Sequence, residues 1–175
     1  MNNLKTNPKG LDVSIQEVQK ILYTKLTTLW GVDLDAYGRC YPYIRDNYRV
    51  IEYYYGSNDY KNLVYAEQNK FFFTAENDLT RTGDDFYTTN ISLYFILNVN
   101  EIYPLVNHRA DEEARVDVLN ILNSTGKVQV TSVTTEINKV FSRFEYENTD
   151  DMQPYHCFKI DLDVLEFNIN QLECN

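Results

Sequence analysis

Two histidines, three cysteines and a surplus of carboxylates are the side chains in this 175-residue sequence best suited to acid–base, nucleophilic or metal chemistry. His108 stands just before the acidic run Asp111-Glu112-Glu113, and His156 is next to Cys157. Neighbours on a strand point to opposite faces, so His156 and Cys157 cannot easily share one metal ion. A zinc site built from Cys40, Cys157 and His108 would need three distant segments to converge, and it would still lack a fourth ligand. Cys157 as a nucleophile with His108 as its base has no local signature behind it. Asp84-Asp85 invites a metal reading, but no further ligands follow at a recognisable spacing, so the segment ENDLTRTGDD reads as a solvated acidic loop. With 26 acidic residues, carboxylate pairs arise by chance and none singles itself out as a glycosidase-type acid and base. GxGxxG, P-loop and GxSxG motifs are all missing from the sequence. The expectation is therefore a protein that is not an enzyme and carries no metal and no cofactor.

Charge narrows the partners. Sixteen basic residues against 26 acidic ones leave a formal net charge of −10, which works against gripping nucleic acid, where basic patches must displace counterions. The length suits one domain, 1–175, able to bury a core without staples. No apolar run approaches the roughly 18 residues needed to span a bilayer, and MNNLKTNPKG has no apolar signal region. The cysteines are far apart, odd in number and free of CxxC spacing, which fits reduced thiols in a reducing compartment. The 15 tyrosines offer apolar area with a polar tip, suited equally to a protein interface and to a half-wet sheet.

The elements follow from periodicity. Residues 1–11 read as a polar N-terminal arm outside the core. Ser14-Ile15-Gln16-Glu17 matches a capping box, and Ile15, Val18, Leu22, Leu26 and Leu29 recur at helical spacing, predicting a helix from about Asp12 to Leu29 closed by Trp30-Gly31. Tyr37–Ile44 holds Pro42, which confines it to an edge or a broken strand. Arg49–Tyr55 reads as a strand ending in the turn Gly56-Ser57-Asn58-Asp59, and Lys61–Glu67 with Lys70–Ala75 reads as a hairpin about Gln68-Asn69. Phe71-Phe72-Phe73 places aromatic rings on both faces of its strand, so both faces must be covered, by the fold or by another chain.

Phe86–Asn100 dominates the pattern. From Tyr87 its odd positions read Tyr, Thr, Ile, Leu, Phe, Leu, Val, an apolar row against which helices should pack. At full extension Tyr87–Val99 would reach about 43 Å, against a diameter of about 40 Å for a compact chain of this size. A second helix after Tyr103-Pro104 has Asp111, Glu112 and Glu113 in its first turns, a buried stripe of Ala110, Ala114, Val118, Ile121 and Leu122, and an end at Ser124-Thr125-Gly126. Lys127–Val133 reads as a short strand and Thr134–Phe144 as a short helix capped by Thr134 or Thr135. Tyr155–Ile169 is a second long strand whose apolar phase flips near Val164-Leu165, as a β-bulge would make it do. The fold class expected is α+β: an antiparallel sheet, or a sandwich, with two main helices packed on it.

This order, with the opening helix IQEVQKILYTKL, the strand ISLYFILNV, the helix RADEEARVDVLNIL and the closing strand CFKIDLDVLEF, resembles the tail-terminator and head–tail joining (neck ring) proteins of tailed bacteriophages. The likeness runs from about Ser14 to Ile169, and the Asn- and Tyr-rich texture is similar to neck proteins of crAss-like phages. It implies a structural virion protein, located in the neck or tail and assembled in the bacterial cytoplasm, that forms a homo-oligomeric ring of 6 or 12 copies between portal, adaptor and tail proteins. DNA would pass through that ring without specific binding, past carboxylates that repel it. Asp84 and Asp85 are expected to line or border the lumen, and Tyr53, Tyr54, Tyr55, Phe71, Phe72 and Phe73 to lie at subunit contacts. Tyr37–Ala75 exceeds the shorter members of that family and is expected as an extended hairpin insertion, 37–75, reaching a neighbouring ring. The alternative is a small acidic inhibitor or immunity-type DNA mimic, which would need carboxylates at phosphate-like spacing on one exposed face; here they are scattered among loops and helix starts.

Overall fold

The computed structural model of the chain describes residues 1–45, 48–56, 59–64, 67–106, 110–141 and 154–169. Its strands and helices run in the order β1 (Asn2–Asn3), α1 (Leu11–Trp30), β2 (Asp35–Arg45), β3 (Tyr48–Gly56), β4 (Asp59–Asn62), β5 (Lys70–Thr74), β6 (Thr80–Arg81), β7 (Phe86–Asn98), α2 (Val99–Ile102), α3 (Asp111–Asn123), β8 (Val128–Thr134), α4 (Ile137–Val140) and β9 (Tyr155–Asn168). The fold is α+β. One nine-stranded, mostly antiparallel sheet runs β4-β3-β2-β5-β7-β9-β8, with β1 added beside β2 and β6 beside β7. Among the described residues only the β1–β2 and β2–β5 pairs are parallel.

The alternation in β7 decides how the layers form. Ile91, Leu93, Phe95 and Leu97 point to one face, joined by Phe71 and Phe73 of β5 and by Phe158, Ile160, Leu162 and Val164 of β9. The α1 stripe of Leu11, Ile15, Val18, Leu22, Leu26 and Trp30 covers that face together with Ala114, Val118, Ile121 and Leu122 of α3. The helices thus pack on the odd face of β7, as its pattern requires. Tyr94 and Ile96, which interrupt the polar side of β7, belong to a second core on the opposite face with Tyr37, Cys40, Ile51, Leu63, Phe72, Val140 and Phe141. Phe72 stacks on Tyr94 at 5.1 Å between ring centroids, and Tyr94 on Phe141 at 6.0 Å.

Phe71, Phe72 and Phe73 are therefore not subunit contacts. All three are fully buried within the single chain, because β5 lies between β2 and β7 and each face is closed by its own core. The expected hairpin between Lys61–Glu67 and Lys70–Ala75 does not form either: β4 pairs with β3, while β5 enters the middle of the sheet. Residues 37–75 are accordingly no single inserted hairpin. They hold the meander β2–β3–β4 and, separately, a central strand.

The arm expected at 1–11 is partly integral to the sheet. Asn2 and Asn3 pair in parallel with Ala36 and Tyr37, Asn3 is buried, and Leu11 already belongs to the main core. The capping box at Ser14 is not used. Helix α1 has its N-cap four residues earlier, at Gly10, whose positive φ of 54° turns the chain and whose carbonyl accepts the Val13 N–H at 3.1 Å. Its C-terminus is as expected, with Gly31 in the left-handed region at φ 67°. The short helix expected over Thr134–Phe144 reduces, among the described residues, to one turn, with Glu136 rather than a threonine at its N-cap.

Bulges on β9 and β2 set the phase of side chains around the two cores. On β9, Phe167 opposes Tyr87 and Val164 opposes Thr89, three steps against two, which places the extra residue at Leu165–Glu166, near the expected flip. On β2, Ala36 opposes Phe71 and Arg39 opposes Phe73, so Tyr37–Gly38 carries a second bulge. Beyond Cys40↔Thr74 strand β5 ends, and Tyr41–Arg45 pair only with β3. Pro42 falls in that one-sided stretch, where a missing N–H is tolerated.

Candidate functional site

The β2 bulge creates a polar site joined by several hydrogen bonds. By restarting the alternation it sends Tyr37 and Cys40 to the second core and Arg39 toward α1. There Asp12, buried in the first turn of α1, accepts hydrogen bonds from Arg39 Nε at 2.7 Å and Nη2 at 3.2 Å. Arg39 thus spans both carboxylate oxygens, and Lys5 Nζ donates at 2.5 Å to Oδ2, the oxygen that also takes Arg39 Nη2. Burial alone would push the Asp12 carboxyl up; the hydrogen bonds and charges of Arg39 and Lys5 outweigh that and hold it below the ordinary carboxylate value. Arg39 also lies over the Tyr41 ring, 5.5 Å from its centroid.

Gln19 closes the floor. Its Nε2 donates to Asn2 Oδ1 and Asn3 O, both at 2.9 Å, and to Ala36 O at 3.2 Å, tying α1, β1 and β2 together. Its Oε1 is buried without a donor and lies 3.2 Å from where a Cβ on Gly38 would stand. Above this floor opens a pocket of about 380 Å³, lined by the 3–6 segment, by α1, and by Arg39, Tyr41, Tyr53, Tyr54 and Gly56. Its charged lining residues are Lys5, Arg39 and Asp12, two cations to one anion.

Tyr41 and Tyr54 also border a second, shallower depression of about 580 Å³ with Tyr43 and Tyr60. Register explains it: Tyr54 faces Tyr60 across β3–β4, their rings 5.1 Å apart, and Tyr41 and Tyr43 share one face of β2. Tyr41, Tyr54 and Tyr60 are each about half exposed. Of the tyrosines expected at contacts, Tyr54 lies on this surface, Tyr53 is half-buried with its ring against Tyr37 at 5.0 Å, and the Tyr55 side chain lies outside the described residues.

Asp84 and Asp85 sit apart from these groups, in the tight connection between β6 and β7. Arg81 braces that turn through Nε to Gly83 O at 2.8 Å and Nη2 to Asp84 O at 2.7 Å. The Asp84 side chain is fully exposed and Asp85 half-buried. Strand directions put this turn at the same end of the sheet as the tyrosine meander, since β5 runs parallel to β2 and antiparallel to β7.

On the second face a polar groove of about 380 Å³ centres on Asp161, where Ser92 Oγ and Ser132 Oγ each donate at 2.7 Å and Lys159 Nζ lies at 3.1 Å. Burial again opposes ionisation of this carboxyl, and its donors win, holding it below the usual value. Cys40 and Cys157 are separated by two intervening strands and four residues of register, too far to share an ion. Burial pushes the Cys157 thiol up to about 12, far from a thiolate nucleophile, although Lys70 lies near enough to oppose the shift; burial pushes Lys70 itself down to about 8. No group of three His, Cys, Asp or Glu among the described residues could hold a metal ion; His108 and Cys174 lie outside them.

Sequence reading did not single out Lys5, Asp12, Gln19 or Arg39. The one local sign was Asp12 in the first turn of a helix; its partner emerges only from the bulge that re-aims Arg39. No family model and no curated protein matches the chain.

Proposed function

We propose that the chain is a structural subunit that assembles with copies of itself into a ring, in the manner of the phage neck and tail-terminator proteins its sequence resembles. The observation that carries this reading is the tyrosine face of the meander. Tyr41, Tyr43, Tyr54 and Tyr60 surround an open depression, Tyr41 and Tyr43 on the part of β2 that continues past the end of β5 and Tyr54 and Tyr60 paired across β3–β4 beside it. Clustered tyrosines bury apolar area at little entropic cost and still satisfy their hydroxyls at a wet rim, which suits a protein contact. The outer strands β4 and β8 have one side without a strand partner among the described residues, and such edges accept neighbouring strands. A net charge of −10 with Asp84 fully exposed at a turn suits a channel wall that DNA must pass without sticking. Six or twelve copies, stacked against portal, adaptor and tail proteins, complete the proposal. Electron microscopy of the purified chain in negative stain tests it: closed rings with a central hole support the reading, and uniformly small single particles at assembling concentrations oppose it.

A further inference from the structure

We infer that the Lys5–Arg39 pocket receives a carboxylate side chain from a second copy of this chain, an inference that rests on the self-assembly reading above. Copies of a chain carrying −10 repel one another, so a stable contact needs a place where an acidic surface meets positive charge. Among the lining residues of this pocket cations outnumber anions two to one. Asp12 engages Arg39 through Nε and Nη2 and Lys5 through a single bond, while guanidinium and ammonium groups carry five and three N–H donors in all. Donors therefore remain on both cations, and Lys5 is more than half exposed.

The shape supports the same occupant. A volume of about 380 Å³ accommodates an Asp or Glu side chain with adjoining backbone. Tyr41 and Tyr54 line both this pocket and the tyrosine depression, so the cations and the aromatic surface form one continuous face. An apolar contact on the tyrosines beside a charge-assisted contact at Lys5 and Arg39 has the anatomy of a specific interface: aromatic anchors with a polar flank that fixes orientation. Asp12 has a positioning role, holding the two cations side by side.

Zero-length carbodiimide crosslinking of a mixture of light and heavy-isotope full-length chains tests this. The expected result is a mixed-label peptide pair joining Lys5 of one copy to an Asp or Glu of another, lost at high salt, beside the same-label Lys5–Asp12 link as internal control. Lys5→Glu, at an exposed position, is expected to weaken self-association about tenfold. Mixed-label pairs at other lysines with Lys5 joined only to Asp12 would overturn this inference and leave the assembly reading standing. A chain that gives no mixed-label pairs at all would overturn both. A rise in thermal stability with phenylacetate and no mixed-label Lys5 pair would assign the pocket to a free small carboxylate instead.

Discussion

Asp12 and Arg39 are 27 positions apart in sequence, yet they form an ion pair through two hydrogen bonds, with the carboxylate buried. Neither stood out beforehand, since a carboxylate at a helix start and an arginine after a glycine are both commonplace. What joins them is the extra residue at Tyr37–Gly38, and Gly38 is the residue on which that geometry turns. A methyl group there would meet Gln19 Oε1 at 3.2 Å, and the glutamine cannot swing away without giving up three acceptors. Gly38→Ala is expected to cost about 1–3 kcal/mol in urea unfolding; an unchanged midpoint would mean the amide has room to move. Acid should act on the same pair. Asp12 and Asp161 titrate below their ordinary value in the fold, so their contribution is complete above the unfolded carboxyl pKa of about 3.9 and drains as pH falls through the lower folded values. Stability followed from pH 6 down to about pH 2 is expected to fall through this window, and Asp12→Asn is expected to lower the plateau and flatten the acid limb.

Long periodic elements were legible and pairings between short ones were not. Helices α1 and α3 and strands β7 and β9 each repeat an apolar phase for three turns or more, or along a whole strand, so their type and buried face could be read from spacing. The phase flip at Val164-Leu165 even marked a bulge. Strand β5 could not be assigned that way. Phe71-Phe72-Phe73 has no alternation, and a fully apolar strand is equally compatible with an interface and with the middle of a two-faced sheet; the position of β5 between β2 and β7 decides it. The strand β1 was missed because Asn2-Asn3 has low β-propensity; it is held by tertiary contacts, the Gln19 amide on Asn2 and Asn3, Asn3 Nδ2 on Ala36 O, and Met1 on Leu34 and Ala36. Gln19→Ala removes three of the hydrogen bonds that join α1, β1 and β2 and is expected to cost about 1–3 kcal/mol and to raise amide exchange selectively in residues 2–3 and at Ala36. Protection that is unchanged there would show that β1 holds without the glutamine.

As a whole the molecule is a sheet with two ends of different character. At one end β5 stops at Thr74, and the pair β2–β3 and the pair β7–β9 continue separately, the first carrying Tyr41 and Tyr43 and the second the Asp84 turn. Both cores are closed within one chain, so a lone subunit is expected to fold before it assembles. Sedimentation velocity on the purified chain and on the Tyr54→Arg, Tyr60→Arg double variant measures that sequence of events directly. A discrete closed oligomer of the parent chain, and a folded monomer of the variant with an unaltered circular dichroism spectrum, is the expected result; a parent chain that stays monomeric at every concentration and salt, or a variant that assembles as well as the parent, would contradict it.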